Sequence, residues 1–206
     1  MSPGMRNTLV IATHNRGKAA EIHKLLDDIP WRIVSLQEFE GVGVAEENKD
    51  SYEGNASLKA RYYALATRNW VLADDSGLEV AALGGAPGVL SARYAGENAS
   101  DAERRDLLLS EIEKQGAVDR RARFVCSAAI AAPTGEICKL TEGVCEGAIA
   151  IEASGDGGFG YDPIFIPNGY MQTFGELAED IKNKISHRAK ALLQARDFLL
   201  EKNWPA

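Results

Sequence analysis

The chain has 206 residues and is 45% hydrophobic, enough to bury one core or one domain of two lobes, and its 26% charged fraction is that of an ordinary soluble domain. The net charge of −7 argues against a duplex-binding face, and so against a nucleic-acid partner. Three cysteines, Cys126, Cys138 and Cys145, with no C-x-x-C pair, argue against a disulfide framework and a structural zinc site, and the apolar run 9–12 is too short for a signal peptide or a membrane span, so a reducing cytoplasm and no membrane partner are expected.

In chain order, Thr8 to Thr13 reads as a short buried strand. A polar turn follows. Ile22, Leu25, Leu26 and Ile29 then recur at helical spacing, which predicts a helix from near Arg16 that stops before Pro30. Arg32 to Leu36 reads as a second strand, and Gly41 to Asp50 as loop with some strand. Ser51 to Thr67 is a helix with Ala56, Lys59, Ala60 and Tyr63 on one face. Trp70 to Ala73 is a strand running into Asp74-Asp75-Ser76-Gly77, and 84–88 is a Gly- and Pro-rich turn. Ser100 to Lys114 is a helix opened by a capping box, Ser100 with Glu103. Ala122 to Ala132 and Glu136 to Leu140 flank a hairpin turn at Pro133-Thr134-Gly135, and Gly143 to Ile151 continues the sheet. The segment 155–160 is a loop. The last helix runs from Ser186 to Lys202, with Ala189, Leu192, Leu193 and Leu199 on or near its apolar face. Mixed helices and strands with a late hairpin predict an α/β fold built on a mixed sheet with helices packed on it.

Six polar groups carry the chemistry. Thr13-His14-Asn15-Arg16-Gly17-Lys18 lies between a strand and a helix, where free backbone N–H groups and the helix dipole attract phosphate and Lys18 adds a charge. Taken alone, this turn reads first as a polar connection with a surface lysine. Asp74 and Asp75, at the end of an apolar strand, repel each other in a way a divalent cation relieves, and neighbouring strand residues face opposite ways. The bland alternative is an Asp-Ser-Gly turn that caps the next element. Glu46 or Glu47 can supply a second carboxylate, since magnesium is held by one or two carboxylates plus phosphate oxygens. Lys59, one helical turn after Asn55, is either a snorkelling lysine or a phosphate ligand. Gly157 to Asp162 joins flexible backbone to Phe159, a stacking surface for a base, and to Asp162. Lys182, with His187 and Arg188 at the start of the last helix, adds donors.

These blocks together resemble the inosine/xanthosine triphosphate pyrophosphatase family of the bacterial dITP/XTP type. The resemblance runs from Leu9 to about Leu200. It is carried by Asp74-Asp75-Ser76-Gly77-Leu78, Gly84-Gly85-Ala86-Pro87-Gly88, Ser91-Ala92-Arg93-Tyr94, Gly157-Gly158-Phe159-Gly160-Tyr161-Asp162-Pro163 and Ile185-Ser186-His187-Arg188. It implies a long twisted mixed sheet in two lobes with the active-site cleft between them, spanning 1–206 as one domain, and a homodimer. It also implies a purine nucleoside triphosphate substrate, ITP, dITP or XTP, cut to monophosphate and pyrophosphate with Mg2+, which clears deaminated purines from the nucleotide pool.

By the same resemblance, Thr13 to Lys18 bind the triphosphate. Asp75 is proton acceptor and metal ligand, Ser76 touches substrate, and Glu46 or Glu47 is the other metal ligand; on chemical grounds, Asp75 or its neighbour Asp74 can orient the attacking water and take its proton. Asn55 and Lys59 face substrate, Phe159, Gly160, Tyr161 and Asp162 form the base pocket, and Lys182, His187 and Arg188 read the base and close it. Three positions depart from the family pattern: His14, where Gly or Ser is common, Gly54, where Glu is frequent, and Ala81, where Asp is frequent. Two other readings remain in view. One is a pyrimidine-preferring pyrophosphatase of the septum-inhibitor type, and the other a nucleotide sensor without turnover. A dinucleotide-dependent oxidoreductase fails, because the first turn lacks G-x-G-x-x-G.

Overall fold

A computed structural model describes residues 7–116 and 118–201. Residues 1–6, most of the polar N-terminal segment, and Lys202, the expected end of the last helix, lie outside the described residues. Six strands form one mixed sheet in the order β2-β1-β3-β4-β5-β6, with helices packed on it. The chain divides into two compact units. One takes residues 7–75, 127–142 and 190–201; the other takes 76–126 and 143–189. The boundary in β3 falls between Asp75 and Ser76.

In the first unit, β1 (Thr8–Ile11) pairs in parallel with β2 (Arg32–Ser35) on one side and β3 (Trp70–Val80) on the other. The helix α1 (Arg16–Leu25) connects β1 to β2, and α2 (Tyr52–Thr67) returns from β2 across β1 to β3. Parallel crossovers are right-handed, so two that travel in opposite directions put their helices on opposite faces of the sheet. Packing agrees. Ala56, Ala60, Tyr63 and Ala64 of α2 share a core cluster with Val10 and Ala12 of the first strand and its exit, and with Val71 and Ala73 of β3. By the two-residue period of a strand, Asp75 points to this α2 face and Asp74 to the other.

β1 is shorter than expected, ending at Ile11, and α1 stops at Leu25 rather than near Pro30. Leu26 caps α1 and Ile29 stays buried beyond it. The segment 42–49 is irregular throughout, without the strand expected there. The larger correction is β3, which does not end at Ala73. It runs for eleven residues in all, through Asp74-Asp75-Ser76-Gly77 to Val80, so the reading of these residues as a capping turn is overturned. Asp, Ser and Gly are poor strand formers, and β1 pairs with β3 only as far as Leu72, but β3 also lies beside β4 in the sheet, and pairing overrides propensity.

The hairpin is as expected: β4 (Arg121–Ala131) turns at 132–135 into β5 (Ile137–Ile149), which runs unbroken where two pieces were expected. β5 then pairs antiparallel with β6 (Phe165–Pro167). The capping box of α3 (Asp101–Lys114) forms at Ser100 and Glu103. Two elements were not foreseen, β6 and α4 (Glu179–Ile185). α5 (His187–Glu201) buries Arg188, Leu192, Ala195 and Leu199, at helical spacing, and leaves Leu193 outside that stripe and exposed. Among the described residues no helix is long and apolar enough to cross a membrane.

Candidate active site

In the first unit the chemistry collects beyond the carboxyl end of β1. Its last strand residue, Ile11, pairs with Leu72, and Ala12 N–H donates to Leu72 O at 2.8 Å. β3 continues past this point, so its next residues, Asp74 and Asp75, stand beside the turn that leaves β1. Successive connections diverge here, the place where open α/β sheets present ligand-binding groups. The turn itself is ordered by its own side chains: Asn15 N–H donates to Thr13 Oγ1 at 3.2 Å, and Asn15 Oδ1 accepts from Lys18 N–H at 3.0 Å as the N-cap of α1. His14, Asn15 and Arg16 are exposed, and Thr13, Gly17 and Lys18 are half-buried.

Each aspartate meets a lysine. Lys18 Nζ lies 3.1 Å from Asp74 Oδ2, and Lys59 Nζ lies 3.3 Å from Asp75 Oδ1. Lys59 reaches Glu47 Oε1 as well, at 3.2 Å, so one buried ammonium sits between two carboxylates. This excludes the snorkelling reading of Lys59. Asn55 donates to Asp75 Oδ2 at 3.1 Å and binds Lys49 through both its backbone N–H and its carbonyl, tying the acidic loop to β3. Its amide therefore positions groups of the protein. Both glutamates are exposed, and Glu47 is the one that joins the Lys59–Asp75 network.

Burial pushes the Asp75 carboxyl above its ordinary value, and Glu47 adds to this; Lys59, Lys18 and the Asn55 hydrogen bond pull the other way without cancelling it. Burial alone would lower Lys59, but Asp75, Asp74 and Glu47 outweigh it and raise its pKa.

Among the described residues no three His, Cys, Asp or Glu side chains are grouped to hold a metal. Magnesium does not need such a cage, since it keeps waters and takes one or two carboxylates plus phosphate oxygens. Glu47 and Asp75, both within contact of one cationic nitrogen, fit that requirement.

In the second unit, Phe159 to Asp162 form the expected loop. Asp162 Oδ2 accepts from Phe159 N–H at 2.7 Å and pairs with Lys182 Nζ at 2.5 Å. Lys182 Nζ lies 4.8 Å and Arg188 Cζ 5.5 Å from the centre of the Phe159 ring, so two of the expected base readers gather at the expected platform. Arg188 also donates to Ser76 Oγ at 2.9 Å. His187 is buried and stacks on Phe124 with ring centres 4.5 Å apart. Tyr161 is buried, and its hydroxyl donates to Ser91 O at 2.9 Å, which gives it a scaffold role under the loop.

Three residues were not singled out as site residues. The Tyr63 hydroxyl accepts from Ala45 N–H at 3.2 Å and lies 3.2 Å from His14 Nε2, joining the acidic loop to the phosphate turn. Asp101 and Arg105 bind the backbone of Gly160. Tyr63 was visible as a member of the Lys59 face. Asp101 and Arg105 carried no signal beyond the first turns of a capped helix.

Residues 9–198 match the model of the Ham1 family. A dITP/XTP pyrophosphatase of Desulforamulus reducens is 49% identical over 191 residues, 93% of this chain and 94% of that protein. The Bacillus subtilis dITP/XTP pyrophosphatase is 47% identical over 190 residues, 92% and 96% of the two chains. Among solved structures, a HAM1 protein from Coxiella burnetii superposes with a TM-score of 0.87 at 42% identity, covering 95% of this chain and 100% of that one. The Staphylococcus aureus Ham1 protein gives 0.83 at 39% identity, covering 94% and 98%.

Proposed function

The chain belongs to the Ham1 family, and we propose that it hydrolyses non-standard purine nucleoside triphosphates, ITP, dITP and XTP, to the monophosphate and pyrophosphate, removing deaminated purines from the nucleotide pool. The observation that carries this reading is the pair Asp74 and Asp75 within β3, each matched to its own lysine beside a strand–helix phosphate turn. Thr13 to Lys18 hold the triphosphate through backbone N–H groups and the Lys18 charge. Phe159 takes a purine base, with Lys182, His187 and Arg188 completing the pocket and Ser76 reached through Arg188.

The bond broken is the anhydride between the α and β phosphates. A water oxygen bonds to phosphorus, the bridging oxygen leaves with pyrophosphate, and Asp75 takes the proton of the water. A carboxyl raised above its ordinary value by burial is a stronger base than an exposed aspartate and suits that role. Lys18 and Lys59 neutralise charge that gathers on the departing pyrophosphate. Glu47 and Asp75 hold the magnesium ion, in preference to Glu46. When bound, it supplies positive charge to the phosphate oxygens and acidity to a coordinated water.

Base choice follows from donor chemistry. Hypoxanthine and xanthine present a 6-oxo acceptor where adenine presents an amino donor. Lys182 and Arg188 are both permanent or near-permanent donors, and a site built from donors rejects a donor strongly. We place the enzyme in the cytoplasm as a homodimer acting through one catalytic domain. The free thiols of Cys126, Cys138 and Cys145 suit a reducing compartment, and the dimer is what the family resemblance implies. Steady-state turnover of Asp75→Asn tests the assignment of the base. Near wild-type turnover of ITP in that variant removes Asp75 from the reaction.

A further inference from the structure

The loop that presents Phe159 does little to hold itself. Phe159 stands between Gly158 and Gly160, both left-handed, with φ of +72° and +58°. A Cβ on Gly158 would come within 2.1 Å of Asp162 Oδ2, so no side chain fits there. At Gly160 the space is open, and the φ alone asks for glycine. Ordering each such joint costs conformational entropy, so a fixed ring between them needs ties from outside.

One tie is Asp162, through Phe159 N–H. The other comes from α3. Asp101 Oδ2 accepts from Gly160 N–H at 2.7 Å, and Arg105 Nη1 donates to Gly160 O at 2.8 Å. The two side chains are four residues apart, hence on one face of the helix, and between them take both backbone groups of one glycine. Asp101 is in turn paired with Arg104, whose guanidinium also donates to Ala92 O at 2.9 Å. The helix has its own N-terminal cap in the Ser100–Glu103 box, so capping leaves this arrangement unexplained. Burial works to raise the Asp101 carboxyl, but the bonds from Arg104 and Gly160 outweigh it and hold it below its ordinary value.

We propose that Asp101 and Arg105 are positioning residues for nucleotide binding: by pinning Gly160 from both sides they fix the Phe159 ring as the surface on which the purine stacks. The inference rests on Phe159 being the base platform. Neither residue touches substrate, so both act on affinity for the base and leave the hydrolytic step alone. This is preorganisation, where the gain comes from ordering settled before the ligand arrives.

The test is a double-mutant cycle on KM and kcat for ITP. Arg105→Ala should raise KM on the order of ten-fold with kcat within about two-fold, and Arg105→Lys, which can still donate to the carbonyl, should recover most of the loss. In a Phe159→Ala background the same Arg105→Ala change should shift KM by less than about two-fold, because the part it positions is gone. An equal shift in both backgrounds, or a fall in kcat at unchanged KM, overturns the proposal. If Arg105→Ala does not fold, Asp101→Asn against Asp101→Ala makes the same comparison, since only the asparagine keeps an acceptor for Gly160 N–H. An unchanged KM in Phe159→Ala alone sinks the base-platform reading itself. A raised KM there with none in Arg105→Ala sinks only the role of α3.

Discussion

The two residue sets are built in opposite ways. The phosphate-side groups stand on regular structure: Asp74 and Asp75 lie in β3 just past its pairing with β1, and Lys18 and Lys59 on helices packed to opposite faces of the sheet. The base-side platform is an aromatic between two left-handed glycines, held by side chains of α3 and by Asp162. The contrast matches the tasks. Proton transfer and charge neutralisation tolerate little displacement, which favours rigid elements. Base stacking tolerates more, and a loop can be shaped around the base.

If that contrast is right, substitutions on the strand should strike kcat and those on the loop should strike KM. The largest effect belongs to Asp75→Asn, which should lower kcat for ITP by on the order of 10²–10⁴, the usual size of a general-base contribution. An acid limb of the wild-type rate that reports the Asp75 carboxylate should vanish in the asparagine variant. The sign for stability is the reverse of the common aspartate case. The folded state binds this proton more tightly than the unfolded chain does, so the Asp75 contribution is fully present below the ordinary value of 3.8 and is lost as pH rises through the folded pKa.

Next in size, Lys59→Met should lower kcat/KM for ITP by about 10², since it removes charge from the leaving group and leaves Asp75 facing Glu47 without the ammonium between them. A loss confined to KM would show that Lys59 only binds. On the loop, Phe159→Ala should raise KM about ten-fold with little change in kcat, as expected from the loss of one stacking contact.

How much of this could be read from the chain alone varies by residue. The capping box at Ser100 and Glu103 and the hairpin at 133–135 are local chemistry, and the structure has them where the residues put them. The extent of β3 was not legible, because Asp-Asp-Ser-Gly is a turn by propensity and a strand only by virtue of neighbours far away in sequence. α4 escaped because seven residues, five of them charged or amide, give no apolar stripe, and β6 because three residues ending in Pro167 give no alternation. The Lys59–Glu47–Asp75 network combines a helix, a loop and a strand, so its members were visible singly and their pairing was not.

Gly54 shows the same limit. Its departure from the family pattern left no local sign, yet a Cβ there would lie 2.9 Å from both Lys49 Cβ and Ser51 Oγ, where the acidic loop meets α2. The smallest expected effect sits in this region. Tyr63→Phe removes only the hydroxyl that holds Ala45 N–H and His14, and should lower stability by about 1 kcal/mol in denaturant unfolding. No change would mean that Asn55 and the Lys59–Glu47 pair hold the acidic loop without Tyr63.

The central claim is tested most directly by pyrophosphate release from ITP, dITP, XTP, GTP, ATP and dTTP, each with magnesium and with EDTA. The account predicts fast, magnesium-dependent release from the first three and little from ATP and dTTP. Release mainly from dTTP would move the protein to the pyrimidine-preferring relatives, and no release from any of the six would contradict hydrolysis and leave a nucleotide-binding role.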